Sequence, residues 1–181
     1  MLSQAMSDRL NKQINLEMYS SDLYLQMASW CAYQSLDGCE EFLRLHAQEE
    51  AGHMHRLLGY MHETGAFVVL GGMDAPPTQY ESVKTLFEKI YEHEVQITRS
   101  INELVHFANS EPDYPTLQFL QWYVAEQHQE EFLVKGILDK IKLIGTEGQG
   151  LFLIDQEIGK LAASPAKEAT SLTGGNTNTP A

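Results

Sequence analysis

Cysteine is scarce in this chain. Cys31 and Cys39 are the only two among 181 residues. They fit neither a disulfide framework nor a zinc pattern, so a reducing compartment, the cytoplasm, is the expected location. Basic residues are also few, 12 Lys and Arg against 25 Asp and Glu, for a net charge of −13. That balance argues against nucleic acid and anionic membranes as partners and suits a protein that attracts cations. No run of about 18 apolar residues is present, so no membrane span is expected. The opening stretch Met-Leu-Ser-Gln-Ala-Met-Ser-Asp-Arg has no apolar segment of the kind a signal peptide needs. Proline is missing before Pro76 and again between Pro115 and Pro165, which leaves long stretches free to be helical.

Between these breaks the residues are helix formers. A first helix is expected from about Ser3 to Gln34. Asp37-Gly38-Cys39-Glu40 reads as a capping box opening a second, which runs to about Thr64 with Gly65 as its stop. Ala66 to Pro77 holds Gly71, Gly72 and Pro76-Pro77 and reads as a long connection. Thr78-Gln79-Tyr80-Glu81 reads as the box opening a third helix, which ends near Asn109-Ser110. Asp113-Tyr114-Pro115 starts a fourth, closed by Gly145. Thr146-Glu147-Gly148-Gln149 caps a short fifth helix to about Ala162. One domain over residues 1–162 follows, with a tail over 163–181, rich in Thr, Gly and Asn, that is expected to be disordered. The long helices span roughly 40–48 Å at 1.5 Å per residue. Short links make the first and second helices, and the third and fourth, antiparallel hairpins. The long middle link can travel the length of the bundle. The fold class is all-α: an up-down-down-up four-helix bundle with one long crossover and a short fifth C-terminal helix.

Residues three and four apart share a helix face. The first helix gives the row Leu10, Ile14, Glu17, Ser21, Tyr24, Ala28. The second gives Phe42, His46, Glu49/Glu50, His53, Leu57, and the third Phe87, Ile90, Glu94, Ile97, Ile101. The fourth gives Leu120, Tyr123, Gln127, Glu130, Val134, Ile137, Ile141. Each row is apolar except at its middle. Facing one core, these rows bring four carboxylates, a histidine and an amide together with no Lys or Arg. One unpaired carboxylate costs several kcal/mol to bury, and clustered acids repel one another. A pair of bound divalent cations resolves the conflict. Oxygen-rich ligands with one imidazole suit iron, and suit zinc or manganese less selectively. Glu50-Ala51-Gly52-His53 is a Glu-x-x-His pair of the kind found in di-iron bundles, with Glu17 and Glu94 as the lone acids. Gln127 and Glu130 stand where a second such pair would be expected.

These residues carry a resemblance. The spacing Glu17…Tyr24, the stretch His46-Ala47-Gln48-Glu49-Glu50-Ala51-Gly52-His53, Glu94, and Trp122-Tyr123-Val124-Ala125-Glu126-Gln127-His128-Gln129-Glu130-Glu131 resemble the bacterial non-haem ferritins. The likeness runs from about Leu2 to Ala162. It implies a ferritin-like bundle, ferroxidase activity toward Fe2+ with O2 or H2O2, and a homo-oligomeric shell of about 24 subunits holding a ferric mineral. It further implies that Glu17, Glu50 and His53 hold a first iron. Glu50 would bridge to a second held by Glu94 and Glu130, with Gln127 close by. Glu49 and Glu126 match a third iron site, although Gln129 stands where a Glu is expected. No haem is implied, because Ala51-Gly52 occupies the place of the haem-ligating methionine of bacterioferritin.

Other readings compete at single positions. A lone mid-core Glu can be a protonated structural residue. Tyr24 can bond a ligand, pass an electron, or simply pack, and Trp122 can donate an electron or only fill space. His46 is expected beside the ligands rather than among them. His128 should face solvent or a cavity. Glu103-Leu104-Val105-His106 is a second Glu-x-x-His, but at about 100° per residue it lies on the opposite face of its helix from Glu94. The apolar Leu151, Phe152, Leu153, Ile154, Ile158 and Leu161 suit either packing on the monomer or burial at a symmetry axis. Three other functions share parts of this pattern. A rubrerythrin-like peroxidase would usually add a rubredoxin-like module of four cysteines, a DNA-binding mini-ferritin often carries a Lys-rich tail, and a helical scaffold would oxidise no iron.

Overall fold

The computed structural model describes residues 2–162; the tail expected to be disordered lies outside the described residues. Among the described residues there are five helices: α1 Gln4–Tyr33, α2 Asp37–Glu63, α3 Val83–Ser110, α4 Tyr114–Ile144 and α5 Gln149–Ala162. No strand occurs among the described residues.

Two apolar clusters define the helix directions. One gathers Leu23 to Cys31 of α1, Cys39 to Ala47 of α2, Val83 to Ile90 of α3, Val134 to Ile141 of α4, and Ile154 and Ile158 of α5. The other gathers Met6 to Ile14, Leu57 and Met61, Ile97 to Ala108, and Leu120 and Tyr123. The early halves of α2 and α3 therefore share one end with the late halves of α1 and α4. That is the up-down-down-up bundle. α1 packs on α2, α3 on α4, and α1 on α3, while α5 lies against α2 and α4.

The connection from residue 64 to residue 82 runs along α1 and is held there by two asparagines one turn apart. Asn11 accepts from the Val69 N–H at 2.8 Å and donates to the Phe67 carbonyl at 3.3 Å. Asn15 accepts from Gly71 N–H at 2.6 Å and donates to the Val69 carbonyl at 3.0 Å. Four backbone groups of the loop, the Phe67 and Val69 carbonyls and the Val69 and Gly71 N–H groups, are thus paired.

Two of the expected caps are elsewhere. At the start of α2 the N-cap is Leu36, which offers no side chain. The N–H groups of Gly38 and Cys39 instead donate to the buried carboxylate of Asp155 on α5, at 3.1 and 2.9 Å. These are the second and third amides of the helix, the ones an N-cap side chain normally takes. At α3 the cap is Ser82, whose Oγ accepts from Thr85 N–H at 3.1 Å, four residues after Thr78. Tyr80 explains the delay. It is buried, edge-on to Trp30 with ring centroids 5.6 Å apart, and its hydroxyl donates to the Pro77 carbonyl at 3.0 Å, so residues 78–81 stay outside the helix. Ser3 and Asp113 cap α1 and α4, and Gly145 ends α4 with φ +83.

The apolar residues of the fifth helix divide between the core and the surface of the subunit. Ile154 and Ile158 are buried, whereas Phe152 and Leu153 are 64% and 51% exposed. Its closest approach to α2 is through glycine. A Cβ on Gly38 would sit 2.1 Å from the Asp155 carbonyl oxygen, and one on Gly159 3.0 Å from the Gly38 Cα. Gly38→Ala is therefore expected to force α5 away and cost about 1–3 kcal/mol. Gly136→Ala, where an added Cβ meets nothing within 4 Å, should instead stabilise by about 0.5–1 kcal/mol. Urea midpoints of the two variants moving in the same direction would contradict this account of the α2–α5 contact.

Candidate metal centre

Between the two apolar clusters lies a belt of buried polar side chains. It comprises Gln13, Glu17 and Ser20 from α1, His46, Glu50 and His53 from α2, His93 and Glu94 from α3, and Gln127 and Glu130 from α4. Glu17, Glu50, His53, Glu94, Gln127 and Glu130 each interrupt an otherwise apolar row, so the helical period turns them toward the bundle interior. The inward residues expected from the sequence, Glu17, Glu50, His53, Glu94, Gln127 and Glu130, are all buried here.

Glu17, Glu50 and His53 each offer one ligand atom, and these atoms lie within 4.8 Å of one another. His53 Nδ1 is 3.2 Å from Glu50 Oε2. The Glu17 carboxylate accepts a 2.8 Å hydrogen bond from Gln13 Nε2 on its Oε1, and its buried Oε2 has no N–H or O–H donor of another residue type against it, only the neighbouring Glu50 carboxyl. On α3, Glu94 accepts from the Tyr24 hydroxyl on one oxygen and from Gln127 Nε2, at 3.0 Å, on the other. A second gathering joins His46, Glu49 and Glu130, again within 4.8 Å. His46 Nε2 approaches Glu130 Oε2 at 3.3 Å, and its Nδ1 lies 3.7 Å from the exposed Glu49. Glu126 is outside that group. His46, expected only beside the ligands, is thus as close to carboxylate oxygens as His53 is.

The electrostatics follow from burial without counter-charge. Burial, reinforced by the Glu50 carboxylate, holds the Glu17 pKa well above the usual carboxyl range. Burial and the neighbouring Glu94 and Glu130 do the same to Glu50. Burial also raises Glu94, although the bonds from Tyr24 and Gln127 oppose the shift. For His46, burial lowers the pKa, but the contacts with Glu130, Glu49 and Glu94 outweigh it and leave it raised. His93 has no such acid against its ring and is lowered to about 4 by burial. Its Nε2 shares a 2.8 Å hydrogen bond with the Ser20 hydroxyl. Acids that hold protons in the metal-free protein can release them to an incoming cation.

Aromatic rings wall the belt. Tyr24 is fully buried, and burial followed by the Glu94 charge raises its hydroxyl pKa. Trp122 stands edge-on to His53 with centroids 5.3 Å apart, and the Arg56 guanidinium lies over its ring at 4.5 Å. The Tyr123 hydroxyl donates to the His53 backbone carbonyl at 2.7 Å. Spacing alone does not reveal Gln13 and Tyr123 in these supporting roles. The one signal for Gln13 is its place one turn before Glu17; a hydroxyl bonded to a distant backbone carbonyl leaves none in sequence. Glu103, His106 and His128 are exposed and take no part in the belt.

Comparison with known proteins identifies the family. Residues 7–144 match the family model of the ferritin-like domain. A bacterial non-heme ferritin of Escherichia coli O157:H7 is 50% identical over 161 residues, covering 89% of this chain and 98% of that one. One from Campylobacter jejuni is 51% identical over 167 residues, covering 92% and 100%. Among solved structures, an open-pore ferritin from Archaeoglobus fulgidus superposes with a TM-score of 0.85 at 41% identity, covering 87% of this chain and 96% of that one. A Chlorobium tepidum ferritin gives 0.79 at 47%, covering 88% and 98%. With four carboxylates, a histidine and an amide at the waist of a bundle that superposes on ferritins, the chain belongs to the bacterial non-heme ferritin family.

Proposed function

We propose that this protein is a ferroxidase that stores and detoxifies iron, oxidising Fe2+ inside each subunit and depositing ferric mineral within a hollow homo-oligomeric shell of about 24 copies. The observation that carries the reading is the belt itself: Glu17, Glu50, Glu94 and Glu130 are buried and near enough to act on one another's charge, with no Lys or Arg among the buried residues described. The Glu17 Oε2 beside Glu50 and His53 is the donor such a site would present.

Glu17, Glu50 and His53 would hold one Fe2+. Glu50 would reach across to a second, faced by Glu94 and Glu130, while Gln127 and Tyr24 orient Glu94. Two Fe2+ held side by side give up one electron each, so O2 takes two electrons and two protons to become H2O2; H2O2 as oxidant takes two electrons and two protons to become two water molecules. The protein's part is to fix the spacing and leave coordination positions open. Glu49 and Glu126 are the proposed third site, with His46 brought next to Glu49 and Glu130. The net charge of −13 would draw cations toward the shell and help nucleate mineral. Exposed Phe152 and Leu153 on α5 and Phe67 on the long loop give apolar surface for subunit contacts. The surroundings proposed are the cytoplasm, with neither nucleic acid nor membrane as a partner.

One experiment addresses both halves of the proposal. Fe2+ is added aerobically to the full chain, and particle size and retained iron are read in the same elution. The expected result is a large particle that carries iron far in excess of two per subunit. A monomer with no oxidation above the protein-free rate would mark it as a scaffold.

A further inference from the structure

The belt includes one fully buried amide that the proposed chemistry does not use. Gln13 is 1% exposed and lies one turn before Glu17 on α1. Its neighbours on the same inward face, Leu10 and Ile14, are apolar, so packing alone calls for no amide at this position. Both ends of the amide are engaged. Nε2 donates to Glu17 Oε1 at 2.8 Å, and Oε1 accepts from the Ser100 hydroxyl of α3 at 2.5 Å.

The polarity of this relay is set by chemistry. A carboxylate that binds a cation can only accept, so the NH2 end must face Glu17 and the carbonyl end must face the hydroxyl. The bond from Gln13 occupies Oε1 and leaves Oε2 buried beside Glu50 and His53. We propose that Gln13, anchored by Ser100, is a positioning residue that fixes the Glu17 carboxylate and selects its Oε2 as the metal-binding oxygen. The relay ties α1 to α3, so the helix that carries Glu94 also sets the orientation of Glu17. The inference rests on the cation site proposed above. It goes beyond it in assigning which oxygen binds and what orients it.

The test titrates Co2+ into the full-length protein and into Gln13→Met, Ser100→Ala and Glu17→Gln, reading affinity, stoichiometry and the visible absorption of the bound ion. Gln13→Met keeps the length and loses both bonds. It is expected to weaken the first site roughly 10- to 100-fold, the range for removing an outer partner of a metal ligand, with stoichiometry kept and the spectrum altered. Ser100→Ala leaves Gln13 in place and should weaken binding about 2- to 10-fold, one hydrogen bond's worth. Added to Gln13→Met, it should do nothing more. In Fe2+ oxidation, both variants should lose rate mainly at low Fe2+, raising KM more than they lower kcat. A merely structural role would shift the melting temperature but leave spectrum and affinity alone. Wild-type affinity and spectrum in Gln13→Met and Ser100→Ala, with the site lost in Glu17→Gln, would overturn the inference and spare the site. Binding unchanged in Glu17→Gln would overturn both. Ser100→Ala carries the test should Gln13→Met fail to fold.

Discussion

Replacing Glu50 with Gln is expected to slow the initial oxidation of Fe2+ by at least about 100-fold, since loss of a shared ligand should exceed the 10- to 100-fold cost of losing an outer partner. Glu50 is the one carboxylate close to both His53 and Glu17 and influenced by Glu94 and Glu130 as well. Its removal disturbs both proposed ions together. The metal-free fold should not suffer, because the amide keeps the shape of the protonated carboxyl, the form that burial favours. Stopped-flow oxidation and thermal melting, taken on one preparation, separate the two effects. A variant that melts as wild type does and still oxidises Fe2+ at the wild-type rate would show that the belt is structural.

The second large effect is on protons. Anaerobic binding of Co2+ or Zn2+ near neutral pH should release at least about one proton per subunit, because the cation replaces protons held by the raised carboxyls. Affinity should then fall as the solution is acidified. The stability of the metal-free protein follows with a definite sign. Glu17 and Glu50 have folded pKa values raised well above the ordinary carboxyl value. Between about 4.3, where the unfolded carboxyls titrate, and those raised values, the native state binds more protons than the unfolded one. Their contribution is fully present below that lower bound and is lost as pH rises through the folded pKa. His93 works the other way. Lowered to about 4, it stabilises above about 6.5 and loses that contribution on acidification toward its folded value. The useful quantity is therefore the difference between wild type and Glu50→Gln across pH. Indicator-dye titrations showing no proton release on cation binding would mean that the acids are already ionised in the metal-free protein.

The helices and the metal-facing rows were legible in the sequence because both depend on spacing along one chain segment. A glutamate at the middle of an apolar row is visible to anyone who counts by three and four. The helix starts were less so. At α2 the box residues Asp37 and Glu40 are present, but the amides are taken by Asp155, 117 positions away from Gly38. At α3, Tyr80 belongs to the core rather than to a cap, and nothing local distinguishes the two uses. The supporting shell was the least legible part. Gln13 could have been marked by its i−4 relation to Glu17, yet its bond to Ser100 crosses 87 residues. His46 shares a face with Glu50, but its approach to Glu130 depends on how α2 and α4 face each other, which no periodicity reports.

The carboxylate of Asp155 has a consequence for how the chain is made. During synthesis the early helices leave the ribosome well before the last one. Until α5 emerges, α2 has a first turn whose amides lack their acceptor, at the end of the bundle where Cys31 and Cys39 are buried. The final helix thus works as a latch that closes the subunit's oldest hairpin. A nascent or truncated chain ending before residue 149 leaves that latch open, however complete its ligand belt.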